Sequence, residues 1–218
     1  KLQVGNRAYN HNYPATLVAN DVVFNGTDDS RLALAYGQSS YLGDCTLNGV
    51  TIFIYRIEHV SAYNTGTLER CRVVVPNREY GIEIRDTIVD TWSVIDCEVE
   101  GATEAGIYVF GHNYQTSVNI EDCTITDSGM YGVSYGNASG DVTGTTISGC
   151  EYPFRFMGGT HSLAGNSVGG CVQQVIPMSG QVYGGYDTVW SNDWDLPIIF
   201  TGDVEFRSND LTIEPGIA

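Results

Sequence analysis

Apolar residues along this chain return in short alternating runs on a fixed beat, a pattern for strands and not for helices. The clearest runs are Leu42-x-x-Cys45-x-Leu47, Leu68-x-x-Cys71-x-Val73, Val94-x-x-Cys97-x-Val99 and Ile120-x-x-Cys123-x-Ile125. Cysteines at 45, 71, 97, 123, 150 and 171 are separated by 26, 26, 26, 27 and 21 residues. Asn20, 25 residues before the first, and Asn192, 21 after the last, extend the series. On that beat the preceding aliphatic positions are Leu17, Leu42, Leu68, Val94, Ile120, Ile147, Val168 and Val189. The following ones are Val22, Leu47, Val73, Val99, Ile125 and Tyr152, then Gln173, which breaks the pattern, and Trp194. Such a period marks a solenoid, whose repeats bury their apolar faces against their neighbours.

A second alternating strand follows each marker: Leu32-Ala33-Leu34, Ile52-Phe53-Ile54-Tyr55, Ile82-Glu83-Ile84-Arg85, Ile107-Tyr108-Val109-Phe110 and Val133-Ser134-Tyr135. A period of two sends Ile52, Ile54, Ile82, Ile84, Ile107 and Val109 inward, with Phe53, Tyr55, Glu83, Arg85, Tyr108, Phe110 and Ser134 outward. Gly81, Gly106 and Gly132 sit just before these strands, where a bend between sheets favours a permissive backbone. Lys1–Gly5 alternates like a further strand, and Asn6–Pro14 reads as a polar insertion.

With 26 glycines, 14 tyrosines and only 17% charged residues, the composition suits many short strands joined by tight turns. A net charge of −16 argues against nucleic acid and against anionic membrane surfaces, both of which need basic patches. Lys1 is the only lysine among the ten basic residues, a pattern shared by proteins of saline surroundings and by genomes of biased base composition. No run approaches the ~18 apolar residues of a membrane span. The even spacing stacks the six cysteines in one inward column at about the 4.8 Å strand separation, where Cys acts as a small hydrophobe. That favours reduced thiols over disulfides, and over a metal site, for which no C-x-x-C motif or histidine cluster is present.

Turns of 21–27 residues with several short strands each, lacking the Leu-x-x-Leu-x-Leu framework of leucine-rich repeats, resemble the pectate-lyase-like β-helix superfamily over residues 15–194. The resemblance implies an all-β fold: one right-handed parallel β-helix domain, 1–218, of about seven to eight coils. The phrase Asp195-Leu196-Pro197-Ile198-Ile199-Phe200-Thr201-Gly202-Asp203-Val204, with Leu211-Thr212-Ile213-Glu214-Pro215-Gly216, is similar to one that opens new β-helical segments in large secreted surface proteins. It implies that 195–218 starts a further segment or supplies terminal strands, and that the chain is one module of an extracellular or cell-surface array.

Enzymes of the resembled superfamily bind acidic polysaccharides along one sheet. A lyase there needs a base, often Arg, and a cation against the uronate; Arg85 with Glu83 and Asp86 is the candidate here, with Arg72 and Arg78 nearby. The hydrolase motifs are incomplete. Asp28-Asp29 lies in a turn composition, Gly111-His112-Asn113 lacks its second glycine, and no Asn-Thr-Asp is present. His11, His59, His112 and His161 fall in different phases of the repeat and read as loop residues, with His112 and His161 placed to line a groove. Glu121, Asp122, Asp127 and Asp141 offer oxygen ligands for Ca²⁺, but they read first as solvated acids on strand edges and turns, and no cofactor or metal is expected. The outward set Tyr55, Arg85, Tyr108, Phe110 and Arg155 falls on one sheet if the register holds, where either a loop or neighbouring module covers it or it contacts a polysaccharide or cell-surface glycan. The leading expectation is therefore a non-catalytic stalk, adhesin or glycan-binding module that also meets neighbouring modules. A polysaccharide lyase and a viral tailspike-like fibre are the alternatives.

Overall fold

The alternating runs become strands stacked in register along three faces of a parallel solenoid. The computed structural model describes residues 2–4, 16–35, 39–55, 65–85, 91–111, 116–183, 188–190, 195–207 and 210–215. The first face holds β2 (Val18–Asn20), β4 (Ser40–Gly43), β6 (Gly66–Glu69), β9 (Thr91–Ile95), β12 (Ser117–Glu121) and β15 (Val142–Thr143). Two long strands, β3 (Val23–Ala35) and β5 (Thr46–Tyr55), bend across the second and third faces. The second face continues with β7 (Arg72–Val74), β10 (Glu98–Glu100), β13 (Thr124–Thr126), β16 (Thr146–Ser148) and β18 (Ser167–Gly169). The third is built from β1 (Leu2–Val4), the second halves of β3 and β5, then β8 (Tyr80–Arg85), β11 (Ala105–Phe110), β14 (Tyr131–Gly136) and β17 (Tyr152–Met157). Beyond these, β19 (Ile176–Tyr183) pairs with β21 (Ile198–Arg207), and β20 (Thr188–Trp190) with β22 (Leu211–Ile213).

The six strands of the first face give about six turns, fewer than the seven to eight the spacing suggests. The terminal strands form their own two-stranded sheets instead of extending the three faces.

Apolar columns fill the interior. The first face contributes Ala19, Leu42, Leu68, Val94, Ile120 and Val142. The third contributes Leu32-Ile52-Ile82-Ile107-Val133-Phe154 and Leu34-Ile54-Ile84-Val109-Tyr135-Phe156. The six isoleucine and valine positions expected inward are fully buried. Each such side chain is worth about 1.5–3 kcal/mol against water. Tyr135 joins the core because its hydroxyl donates to the Val118 carbonyl at 2.6 Å, as a buried phenol requires.

Backbone register corrects the cysteine series. The first corner carries a residue in the left-handed region on every turn: Asp21, Asp44, Arg70, Asp96, Asp122, Gly144 and Gly165, with φ between 49° and 72°. The small residue after it points inward, giving the column Val22, Cys45, Cys71, Cys97, Cys123, Thr145, Asn166. Asn20 is not its start. Cys150 and Cys171 belong to a second column at the next corner, with Ala102 and Ser128, each following a left-handed Gly101, Asp127, Gly149 or Gly170. Ile147 and Val168 accordingly align with Ile125, not with Ile120. Asn192 and Trp194 lie outside the described residues.

The marker's chemistry follows from the bend. There the chain turns its carbonyls inward, and a small side chain with a donor answers them. Cys45 Sγ donates to Gly43 O at 3.2 Å, Cys123 Sγ to Glu121 O at 3.3 Å, and Thr145 Oγ1 to Thr143 O at 3.2 Å. Asn166 does the same with two carbonyls, Val142 O and Leu163 O, each at 2.7 Å. Burial pushes the Cys45 thiol pKa up, and the hydrogen bond to Cys97 raises that of Cys71. In the intact protein Cys45 and Cys71 should therefore alkylate at least roughly 100-fold more slowly than in denaturant, as peptide mass mapping after timed iodoacetamide treatment will show; equal rates would contradict the ladder.

Gly81, Gly106 and Gly132 have ordinary negative φ, so bending does not require them. Space does. A Cβ on each would sit 2.4 Å from Val99, Ile125 or Ile147 of the second face, the approach that closes the corner.

Candidate functional site

The outward positions of the third face form two columns in strict register. One runs Phe53, Glu83, Tyr108, Ser134, Arg155; the other runs Tyr55, Arg85, Phe110, Gly136, Met157. All five residues expected to bind ligand are therefore on one sheet. Tyr55 stacks on Phe53 at 4.7 Å between ring centres, and Tyr108 on Tyr80 at 4.5 Å and on Phe110 at 6.3 Å. Gly136 leaves room for the Phe110 ring, since a Cβ there would meet Phe110 Cδ2 at 2.9 Å.

Three guanidinium groups overlie these rings: Arg31 on Phe53 at 5.1 Å, Arg85 on Tyr108 at 5.4 Å and Arg155 on Tyr131 at 5.3 Å. Beneath Arg31 and Arg85 lies Glu83. Its side chain points outward, as its strand phase requires, yet is only 3% exposed, because the arginines and rings roof it over. Arg85 Nε lies 2.5 Å from Glu83 Oε1, and Arg31 Nη1 3.9 Å from Oε2, with both arginine side chains about 40% exposed (41% and 42%). Glu83 Oε2 and the Ser134 hydroxyl two strands along are buried without a hydrogen-bond partner. Burial works against the charge on Arg85, but the pull of Glu83 outweighs it and leaves the guanidinium pKa above its ordinary value. Burial also raises the phenol pKa values of Tyr80, Tyr108 and Tyr131.

At the corner leading into this face, the Pro76-Asn77-Arg78 turn stands away from Gly26 and Gly49 and leaves a cleft of about 310 Å³, with Asn25 and Asn48 on its wall. Arg78 Nε donates there to Thr51 Oγ1 at 3.2 Å.

Residues 80–182 match the family described as right handed beta helix region. No curated protein and no solved structure matches the chain. The protein is a right-handed parallel β-helix. The matched stretch runs from the start of β8 into β19, and so takes in Glu83, Arg85, Tyr108, Phe110 and Arg155.

The β-helix keeps its remaining candidates apart. Arg72 is on the second face, paired with Glu98 at 3.2 Å and Glu100 at 2.9 Å, away from Arg85. Asp122 and Asp127 occupy different corners of one turn, and Asp141 accepts from the Ser162 amide at 2.9 Å. Among the described residues no group of three or more His, Cys, Asp or Glu is placed to share a metal. Asp28 and Asp29 fall in the register break of β3 between Asn25 and Ser30. Asp86, His11, His59 and His112 lie outside the described residues.

His161 is not a groove or loop residue. It is buried against Phe156 at 4.3 Å and Tyr135 at 4.8 Å, with Nδ1 2.9 Å from Gly140 O and Nε2 3.0 Å from Gly158 O. Burial lowers its pKa against the opposing pull of those carbonyls. The unfolded chain therefore binds the proton first as pH falls below about 6.5, so the stability His161 contributes is present above that pH and is lost on acidification. Wild type should lose more Tm between pH 7 and 5 than His161→Gln does, as parallel melts will test; identical slopes would contradict this.

Sequence reasoning missed Arg31, Tyr80, Tyr131 and Tyr152. Arg31 was within reach: it is one residue before Leu32, and period two places it on the outer side beside Phe53. Tyr80 and Tyr131 precede glycine-opened strands and Tyr152 precedes Pro153, where alternation alone does not say which way they point.

Proposed function

We propose that this chain is a non-catalytic module of a secreted or cell-surface β-helix protein, whose third face binds an extended glycan. The observation that carries the reading is the outer surface of the third face, where Arg31 and Arg85 lie over aromatic rings above a sequestered Glu83 and Arg155 lies over Tyr131 farther along the same sheet. In-register strands repeat donors at about 4.8 Å along the axis. A glycan laid along the face would meet guanidinium N–H groups and phenol hydroxyls, with ring edges covering its apolar patches. The guanidinium donors suit hydroxyls or carboxylates of an acidic polymer in particular, despite the overall negative charge of the chain.

The same geometry disfavours lyase chemistry. A base must give up its proton, and Arg85 is held in its charged form by Glu83. Glu83, in turn, is roofed over and has no path to a substrate.

Passage of the protein over immobilised acidic and neutral polysaccharides, with ultraviolet detection of unsaturated products, tests both points. Retention on at least one polymer without new absorbance is the expected result. Product formation that Arg85→Ala abolishes would establish a lyase and overturn the proposal.

A further inference from the structure

Cys150 and Cys171 stand apart from the other four cysteines in place and in surroundings. The ladder thiols at the first corner point at carbonyl oxygens. At the second corner, Cys150 and Cys171 face one another across consecutive turns, with their sulfur atoms 2.6 Å apart. That separation is well inside the ~3.5–4.0 Å at which unbonded heavy atoms rest and approaches the bonded distance of about 2.05 Å. Backbone register supports bonding. Ser148 pairs with Gly169, so the two cysteines occupy the same position on successive turns, and Val172 N donates to Cys150 O at 2.9 Å. Neighbouring parallel strands lie about 4.8 Å apart, within the roughly 4.4–6.8 Å between Cα atoms that a disulfide spans.

We propose that Cys150 and Cys171 are a disulfide-forming pair that staples two consecutive turns of the β-helix, while Cys45, Cys71, Cys97 and Cys123 stay reduced. The oxidant required is a small disulfide, such as oxidised glutathione. Cys171 is the entry point, being 8% exposed against 3% for Cys150 and followed by the solvent-facing Val172. Its thiolate attacks one sulfur of the small disulfide, forming a mixed disulfide and releasing one thiol. The Cys150 thiolate then attacks Cys171 Sγ, closing the protein disulfide and releasing the second thiol. Two protein thiols are oxidised by two electrons, one small disulfide is reduced to two thiols, and the two cysteine protons pass to the departing thiolates. This inference stands apart from the glycan reading, since neither cysteine lies on the outer surface of the third face.

Fully reduced protein, freed of reductant, is incubated with oxidised glutathione, acid-quenched, then denatured, alkylated with iodoacetamide and mapped by mass. Four of the six cysteines should carry the alkyl group, with one linked peptide pair containing Cys150 and Cys171. Cys150→Ser should stop at a glutathione adduct on Cys171, and Cys150→Ala serves if the serine variant folds poorly. Oxidation of wild type should raise Tm by on the order of 5–10 °C and leave Cys150→Ser unchanged. Six alkylated cysteines after oxidation, glutathione adducts that never close, or a cross-link through a ladder cysteine would each overturn the proposal.

Discussion

Replacing Trp92 with alanine should lower the stability of the protein by about 3–5 kcal/mol, the cost of emptying a large aromatic site in a packed core. Among the described residues Trp92 is the largest fully buried side chain, on the inner side of the first face. Its strand neighbours in register are Gly66 and Val118. The indole lies over Gly66, where a Cβ would come within 2.5 Å of Cη2 and 2.4 Å of the Ser40 carbonyl oxygen. Two predictions share that contact. Trp92→Ala leaves a void that the rigid parallel strands cannot collapse, and Gly66→Val forces the indole out of its site. For a chain of this size a loss of about 3–5 kcal/mol lowers Tm by roughly 6–20 °C. Thermal melts followed by circular dichroism will check both, and a Tm within two or three degrees of wild type for either would show that the first face is not packed as described.

Arg85→Ala is the second large effect, and its origin is electrostatic. The substitution leaves the buried Glu83 carboxylate with Arg31 at 3.9 Å as its nearest cation. Breaking a buried pair from one side costs about 3–5 kcal/mol; because the Arg85 side chain is 41% exposed, solvent screens part of this and about 2 kcal/mol is expected. The diagnostic is the second substitution. Glu83→Gln introduced into Arg85→Ala should recover about 1 kcal/mol or more by removing the stranded charge, whereas a merely steric role for Arg85 predicts no recovery. Urea denaturation of wild type and the three variants provides the comparison.

Much of this architecture was legible because a parallel solenoid repeats its chemistry as well as its shape. The columns Leu42-Leu68-Val94-Ile120 and Ile52-Ile82-Ile107 could be written down directly, since an alternating strand with one wet side leaves no freedom in register. The errors have one cause. Turns of 26 residues shorten to 22 between Cys123 and Thr145 and to 21 between Thr145 and Asn166, so the cysteine at 150 imitates a 27-residue turn while sitting at the next corner. The true ladder survives in the donor capacity of Thr145 and Asn166, a signal of hydrogen-bonding chemistry, not of residue identity.

The outward phase of Tyr55, Glu83, Arg85, Tyr108, Phe110 and Arg155 was equally readable. The burial of Glu83 was not, because it depends on Arg31, 52 residues earlier, reaching across two strands to roof it. For the same reason His161 looked like a loop residue. Its burial comes from Phe156, five residues earlier, together with Tyr135 of the preceding turn, and the sequence around His161 does not reveal the second.

The most direct test of the central claim is the equilibrium affinity of wild type and of Arg155→Ala for a polysaccharide that retains the protein. Arg155 is partly exposed and rests on the Tyr131 ring, outside the Glu83 pair, so its removal should spare the fold. Loss of one charge-assisted hydrogen bond, about 1.5–3 kcal/mol, should weaken binding at least roughly tenfold with Tm unchanged. Equal affinity for the two proteins, or no measurable affinity of wild type for any acidic or neutral polymer, would contradict a glycan-binding third face.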